Sequence, residues 1–179
     1  MKKFLALLLA MMMVLAAVSV LAEEAADSKE NEDIAGVTLE SGDVTVEKGE
    51  DTEAGKSLKE QVAAAQQEGD PTTALPEEVR AKLPEGFTVI SEMDTYRLEG
   101  DPSELEDPVK MTFRFETPYG DGEKVMLIVA IQLPDNELDW LVWEGTGNAD
   151  GDVESMVPRA DLIQIGENPF VVIPVSQAK

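Results

Sequence analysis

Val125-Met126-Leu127-Ile128-Val129-Ala130-Ile131 carries no polar side chain at either parity of a strand. Trp140-Leu141-Val142-Trp143 and Phe170-Val171-Val172-Ile173 carry none either. Val109-Lys110-Met111-Thr112-Phe113-Arg114-Phe115-Glu116 alternates apolar and polar without error. Alternation marks a strand with one wet face, and its loss in three runs marks a sheet that is dry on both. One of those faces is the core. The other needs a cover, because three neighbouring strands would otherwise expose several hundred Å² of apolar surface.

Two short helices upstream are the natural cover. Ser57-Leu58-Lys59-Glu60 reads as a capping box, Gln61 to Glu68 are good helix formers, and Gly69 suits the position just past the end. Leu58, Val62 and Ala65 share one face. The second helix runs from Pro76 to Leu83, with Glu77 and Glu78 at its positive end and Pro84 as its stop. Val79 and Leu83 form its apolar stripe. The expectation is that at least one helix crosses the outer face of the dry sheet, over Trp143 or its neighbours. A bare face would instead be a homodimer or partner interface.

Around the dry runs the chain reads as strands and turns. Phe87 to Ser91, Thr95 to Leu98, Lys124 to Leu133 and Val153 to Val157 are extended runs. Asp121-Gly122, Pro134-Asp135-Asn136 and the loop from Gly145 to Gly151 separate them. Asp161 to Ile165 is a helical turn or short strand, and Asn168-Pro169 ends it. Six or seven strands at this spacing predict a mainly β fold, an antiparallel β-sandwich with one or two short N-terminal helices. The spacing leaves no room for helical crossovers, which excludes a parallel α/β sheet.

The first 22 residues read as a leader. Lys2 and Lys3 precede an apolar run from Phe4 to Val20, and Ala22 ends a small-residue exit, the anatomy of a secretory signal peptide. Removing it lowers the net charge from −23 to −25, because Lys2 and Lys3 leave with it. No second apolar stretch is long enough to span a membrane. The expected location is therefore secreted or extracellular.

Residues 23–70 hold 15 acids and four Lys, with no aromatic residue and no Pro. Such a segment buries too little to offset its ordering entropy, so residues 23–56 read as an acidic flexible arm. Val37, Leu39, Val44 and Val46 alternate around Ser41-Gly42-Asp43 as a short hairpin, marginal on its own. Residues 57–179 then form the folded domain.

Composition excludes several functions. There is no Cys and no His among 179 residues, which removes Ser-His-Asp triads, His-ligated zinc, thiolate nucleophiles and disulfides. An excess of 37 acids over 14 basic residues argues against nucleic acid. Carboxylate-pair hydrolysis is the enzyme chemistry that the composition permits. Nothing in the pattern selects a pair, and a domain this small leaves little room for a cleft. The expectation is a non-enzymatic module without a cofactor.

Asp121-Gly122-Glu123-Lys124-Val125, the Trp140 strand, Asp150-Gly151-Asp152-Val153 and the closing Pro169-to-Ile173 strand together resemble the small immunoglobulin-like β-sandwich domains of secreted and cell-surface bacterial proteins. The resemblance covers residues 105–176. It implies a spacer, display or binding module that contacts a protein or the cell envelope.

Candidate sites follow from aromatic and acidic positions. Trp140 and Trp143 point to opposite faces of their strand. The reading places Trp140 with Val142 in the core and leaves Trp143 with Leu141 outside, near Tyr119. Those three residues are the candidate contacts for a partner or, in an alternative reading, for a sugar. Asn148, Asp150 and Asp152 start like a calcium loop, which would suit a calcium-dependent adhesion domain. Val153 then stands where the turn needs Gly and Arg159 where the site needs a bidentate Glu. Asp135, Glu137 and Asp139 form a second acidic loop before the Trp140 strand.

Overall fold

The computed structural model describes residues 36–39 and 44–178. The leader, the Ser41-Gly42-Asp43 turn and residues 23–35 of the acidic arm lie outside the described residues. All of the described residues belong to one compact unit. Its strands are β1 (Gly36–Leu39), β2 (Thr45–Lys48), β3 (Phe87–Ile90), β4 (Asp94–Glu99), β5 (Val109–Arg114), β6 (Lys124–Gln132), β7 (Leu138–Gly147), β8 (Val153–Val157) and β9 (Phe170–Gln177). Its helices are α1 (Glu53–Glu68), α2 (Glu77–Arg80) and α3 (Arg159–Ile165).

Hydrogen bonding runs without a break through the order β1-β5-β8-β7-β6-β9-β4-β2, and β3 adds to β9. Every pairing is antiparallel. The strands thus make one continuous nine-stranded sheet rather than two separate layers. Laid flat, the eight strands of that path would hold β1 and β2 about 34 Å apart. Leu39 and Thr45 are six residues apart, a reach of about 20 Å at most. The sheet therefore curls into a barrel-like form, and its inner cluster draws on strands from both ends of the order. Met111, Phe113, Leu127, Val129, Val153, Phe170 and Val172 fill it, with Tyr96 and Leu98 from β4, while Val37 and Val46 pack at its border.

The apparent hairpin at Val37–Val46 is dissolved by this closure. β1 pairs with β5 (Val37 opposite Phe113) and β2 with β4 (Val46 opposite Leu98), at opposite ends of the order. Short, polar and Pro-free, the segment looks unable to order itself. It gains its hydrogen bonds and its apolar contacts from strand partners 48 or more residues away. The described part of the expected arm, including the first turn of α1, thus belongs to the folded unit.

The dry runs behave as their lack of parity requires. On β6, Val125, Leu127, Val129 and Ile131 face inward, while Met126, Ile128 and Ala130 face outward. On β9, Val171, Ile173 and Val175 face outward beside them. Leu58 and Val62 of α1 lie on that outer face with Leu75 and Val79. A helix does cross the outer face of the sheet.

α1 starts one turn earlier than the Ser57 capping box suggests. Thr52 is its cap, with a side chain that accepts from the Gly55 amide. The Thr52 amide and hydroxyl both donate to Gln132 Oε1, at 2.7 and 2.6 Å. Gln132 is fully buried at the end of β6, so these bonds seat the helix on the sheet. Gly55 is a residue type that disfavours a helix interior. In the fold it is the residue that permits the seat, because a Cβ there would lie 2.4 Å from Gln132 Oε1. Gly69 ends the helix in the left-handed region at φ 104°. α2 is shorter than its sequence pattern, with Pro76 as its cap and Val79 as its buried residue.

A polar clasp also ties α1 to the sheet. Asp51 accepts from the Lys59 ammonium at 2.9 Å and from the Thr95 hydroxyl of β4. Burial alone would raise the Asp51 pKa. The hydrogen bonds from Thr95 and Lys59, with the charges of Lys59 and Lys56, outweigh it and hold the carboxyl below its ordinary value.

Two expected outcomes test this arrangement. Gly55→Ala should destabilise the protein by about 1–3 kcal/mol in urea unfolding, since the new methyl lifts the helix from its seat. Asp51→Asn bears on pH. A lowered folded-state pKa stabilises above the unfolded value and is lost as pH falls through the folded one. The variant should be less stable than wild type at pH 7, and the difference should shrink as pH falls below the ordinary carboxyl value of 3.8 and vanish once it is below the lowered folded-state value.

Candidate functional site

The parity of β7 separates the two tryptophans as expected, but the faces are exchanged. Trp143 is the interior residue, 3% exposed, tilted against Phe113 at 6.2 Å between ring centroids. Its indole N–H donates to Asp161 Oδ2 of α3 at 2.8 Å. Leu141, two residues away, borders the same inner cluster. Trp140 and Val142 instead border the outer cluster. Both faces of the strand are apolar, so parity states which residues travel together and not which side they take. α3 decides it, because Asp161 supplies the acceptor that a buried indole needs.

Tyr119 is also interior. It is 6% exposed, edge-on to Phe115 at 5.8 Å, and its hydroxyl shares a 2.9 Å hydrogen bond with Ser91. Burial raises its pKa, and the Ser91 bond only partly offsets that. Trp143, Leu141 and Tyr119 therefore do not form an outward platform. They belong to the packed interior of the curled sheet.

The acidic loops are held by the protein's own groups. Asn148 Oδ1 accepts from the amides of Asp150 and Asp152, each at 3.0 Å. Asp152 takes a two-point contact from the Arg114 guanidinium, at 3.0 and 2.9 Å. The Asn148 and Asp152 side-chain oxygens that would begin a calcium loop are thus engaged within the protein. Among the described residues, no cluster of three or more Asp or Glu is grouped to hold a metal ion.

Among the described residues, the aromatic side chain that is not buried is Trp140. It lies directly across from Ala130, whose methyl leaves the neighbouring space open. α1 does not reach over it, and a groove of about 510 Å³ remains between helix and strand. Its walls are Ala54, Ser57, Leu58 and Gln61 of α1, the corner at Ala74 and Pro76, and Asn136, Leu138 and Trp140 on the other side. Asn136 sits in the turn before β7 at φ 65°, a conformation that Asn tolerates. Asp139 accepts from the Trp140 amide and from Gln164 of α3, which braces the start of β7.

The groove combines apolar side chains and one half-buried ring with neutral hydrogen-bonding groups and the carboxylate of Glu53. Sequence reasoning missed it by placing Trp140 inside. The signal for it was the pairing of a large ring with Ala130 across the strand, which only the register reveals.

Quenching of tryptophan fluorescence by acrylamide checks the exchange of faces. Trp140→Phe should remove the readily quenched component, and Trp143→Phe should leave it. The reverse result would restore the opposite assignment. Comparison with protein-family models, with curated proteins and with solved structures gave no match for this chain.

Proposed function

We propose that the chain is an exported, non-enzymatic module that contacts another protein or a component of the cell envelope, and that the groove beside Trp140 is the place of contact. The observation that carries this reading is a partly open Trp in an apolar groove on an otherwise charged surface. Aromatic side chains in such settings are the usual anchors of recognition.

Composition supports the non-enzymatic half of the reading, since a chain without His or Cys has neither an imidazole base nor a thiolate nucleophile. The leader-like first 22 residues support export. On this reading, the domain shares with immunoglobulin-like modules the task of presenting a surface.

The test uses peptide and glycan arrays probed with the chain from residue 23 onward and with its Trp140→Ala variant, each checked for fold by circular dichroism. The expected result is peptide binding that the variant loses, with the glycans blank. Glycan binding that depends on Trp140 would move the module to sugar recognition. Binding indifferent to Trp140 would remove the groove from the reading.

A further inference from the structure

We propose that the groove takes an extended polypeptide segment that inserts an apolar side chain beside Trp140 and carries lysine or arginine on either flank. The inference rests on the groove being the contact site and names the chemistry of what enters it.

The floor selects the anchor. Leu58, Leu138 and Trp140 offer apolar surface, and Ser57, Gln61 and Asn136 offer neutral hydrogen-bonding groups beside it. The rim selects the flanks. Glu53 lines the groove itself, Glu77 follows the lining residue Pro76, and Asp135 and Glu137 stand on either side of Asn136. All four are exposed and come from three separate segments of chain. Lys56, the cation beside Glu53, is paired with it at 2.9 Å. These four carboxylates, at the groove or one residue from its lining, are an acidic frame in which Glu53 is matched by Lys56 and Glu77, Asp135 and Glu137 carry the acidic excess. Charges within about 10 Å of a bound ligand act on it at moderate salt, so the frame favours cationic flanks and repels acidic ones. A phosphate-bearing polymer or an anionic lipid surface would meet the same repulsion.

The probes are three fluorescein-labelled peptides with the same Leu-Phe centre, flanked by Lys, by Gln or by Glu. Binding is followed by anisotropy and by the emission of Trp140 in a Trp143→Phe background. The Lys peptide should bind about tenfold more tightly than the Gln peptide at low salt, with the gap closing near about 0.5 M salt. The Glu peptide should not bind. Asp135→Asn with Glu137→Gln should reduce the Lys preference to about threefold or less. Asp121→Asn with Asp150→Asn, at the far end of β6 about 30 Å away by strand rise, should leave it unchanged. Equal binding of the Lys and Gln peptides, dependent on Trp140, would overturn the charge inference and keep the groove. A Lys preference that survives Trp140→Ala or falls equally with the distant pair would be attraction to the whole acidic surface, and would overturn the inference. Absence of any peptide effect on Trp140 would overturn the contact site as well.

Discussion

A strand with apolar side chains on both faces must be covered twice. β6 has eight buried residues among its nine, and β9 has seven buried among eight. The inner cover is made by curling the sheet until strands from both its ends pack on the same cluster. The outer cover is a helix, and the helix must be held at the right height. At roughly 25 cal/mol per Å² of buried apolar surface, either face left bare would cost several kcal/mol. The remaining architecture is arranged around these two demands.

The outer cover explains residues that look out of place. Gln132 is polar and buried at the end of the driest strand. Its carbonyl receives two hydrogen bonds from Thr52, so the polar group is the anchor for the helix start. Gly55 then gives the backbone the clearance to descend onto it. Asp51 and Lys59 add a clasp to β4. Cap, glycine and clasp lie within nine residues, and together they align Leu58 and Val62 with Ile128 and Val171. The groove beside Trp140 is the strip of outer face that this seat leaves open.

Charge sets the character of that strip. With 37 acidic side chains and few cations, the surface repels anions generally and stays well solvated. The apolar slot interrupts that surface at one side of α1, with Glu53 in its lining and Glu77, Asp135 and Glu137 each one residue from it. An apolar site that is framed by one sign of charge discriminates among partners by their flanks, since the slot itself accepts many apolar groups.

By itself the sequence determined the composition of the strands, their approximate bounds and the need for a second cover. Val153–Val157 is a strand at its expected ends, and the alternation of β5 matches its inward Val109, Met111 and Phe113. Antiparallel order followed from short connections that cannot carry crossovers. Three matters were left to the tertiary structure. One is the role of residues 36–39 and 44–56, because a strand's stability comes from partners far along the chain. Another is the single curled sheet, because side-chain parity is the same in a sandwich and in a barrel. The last is which tryptophan faces out. Periodicity assigns residues to two sides of a strand, but when both sides are dry only a neighbour can break the symmetry. Here that neighbour is Asp161, whose carboxylate gives the Trp143 indole its acceptor and so turns Trp140 to the outer face.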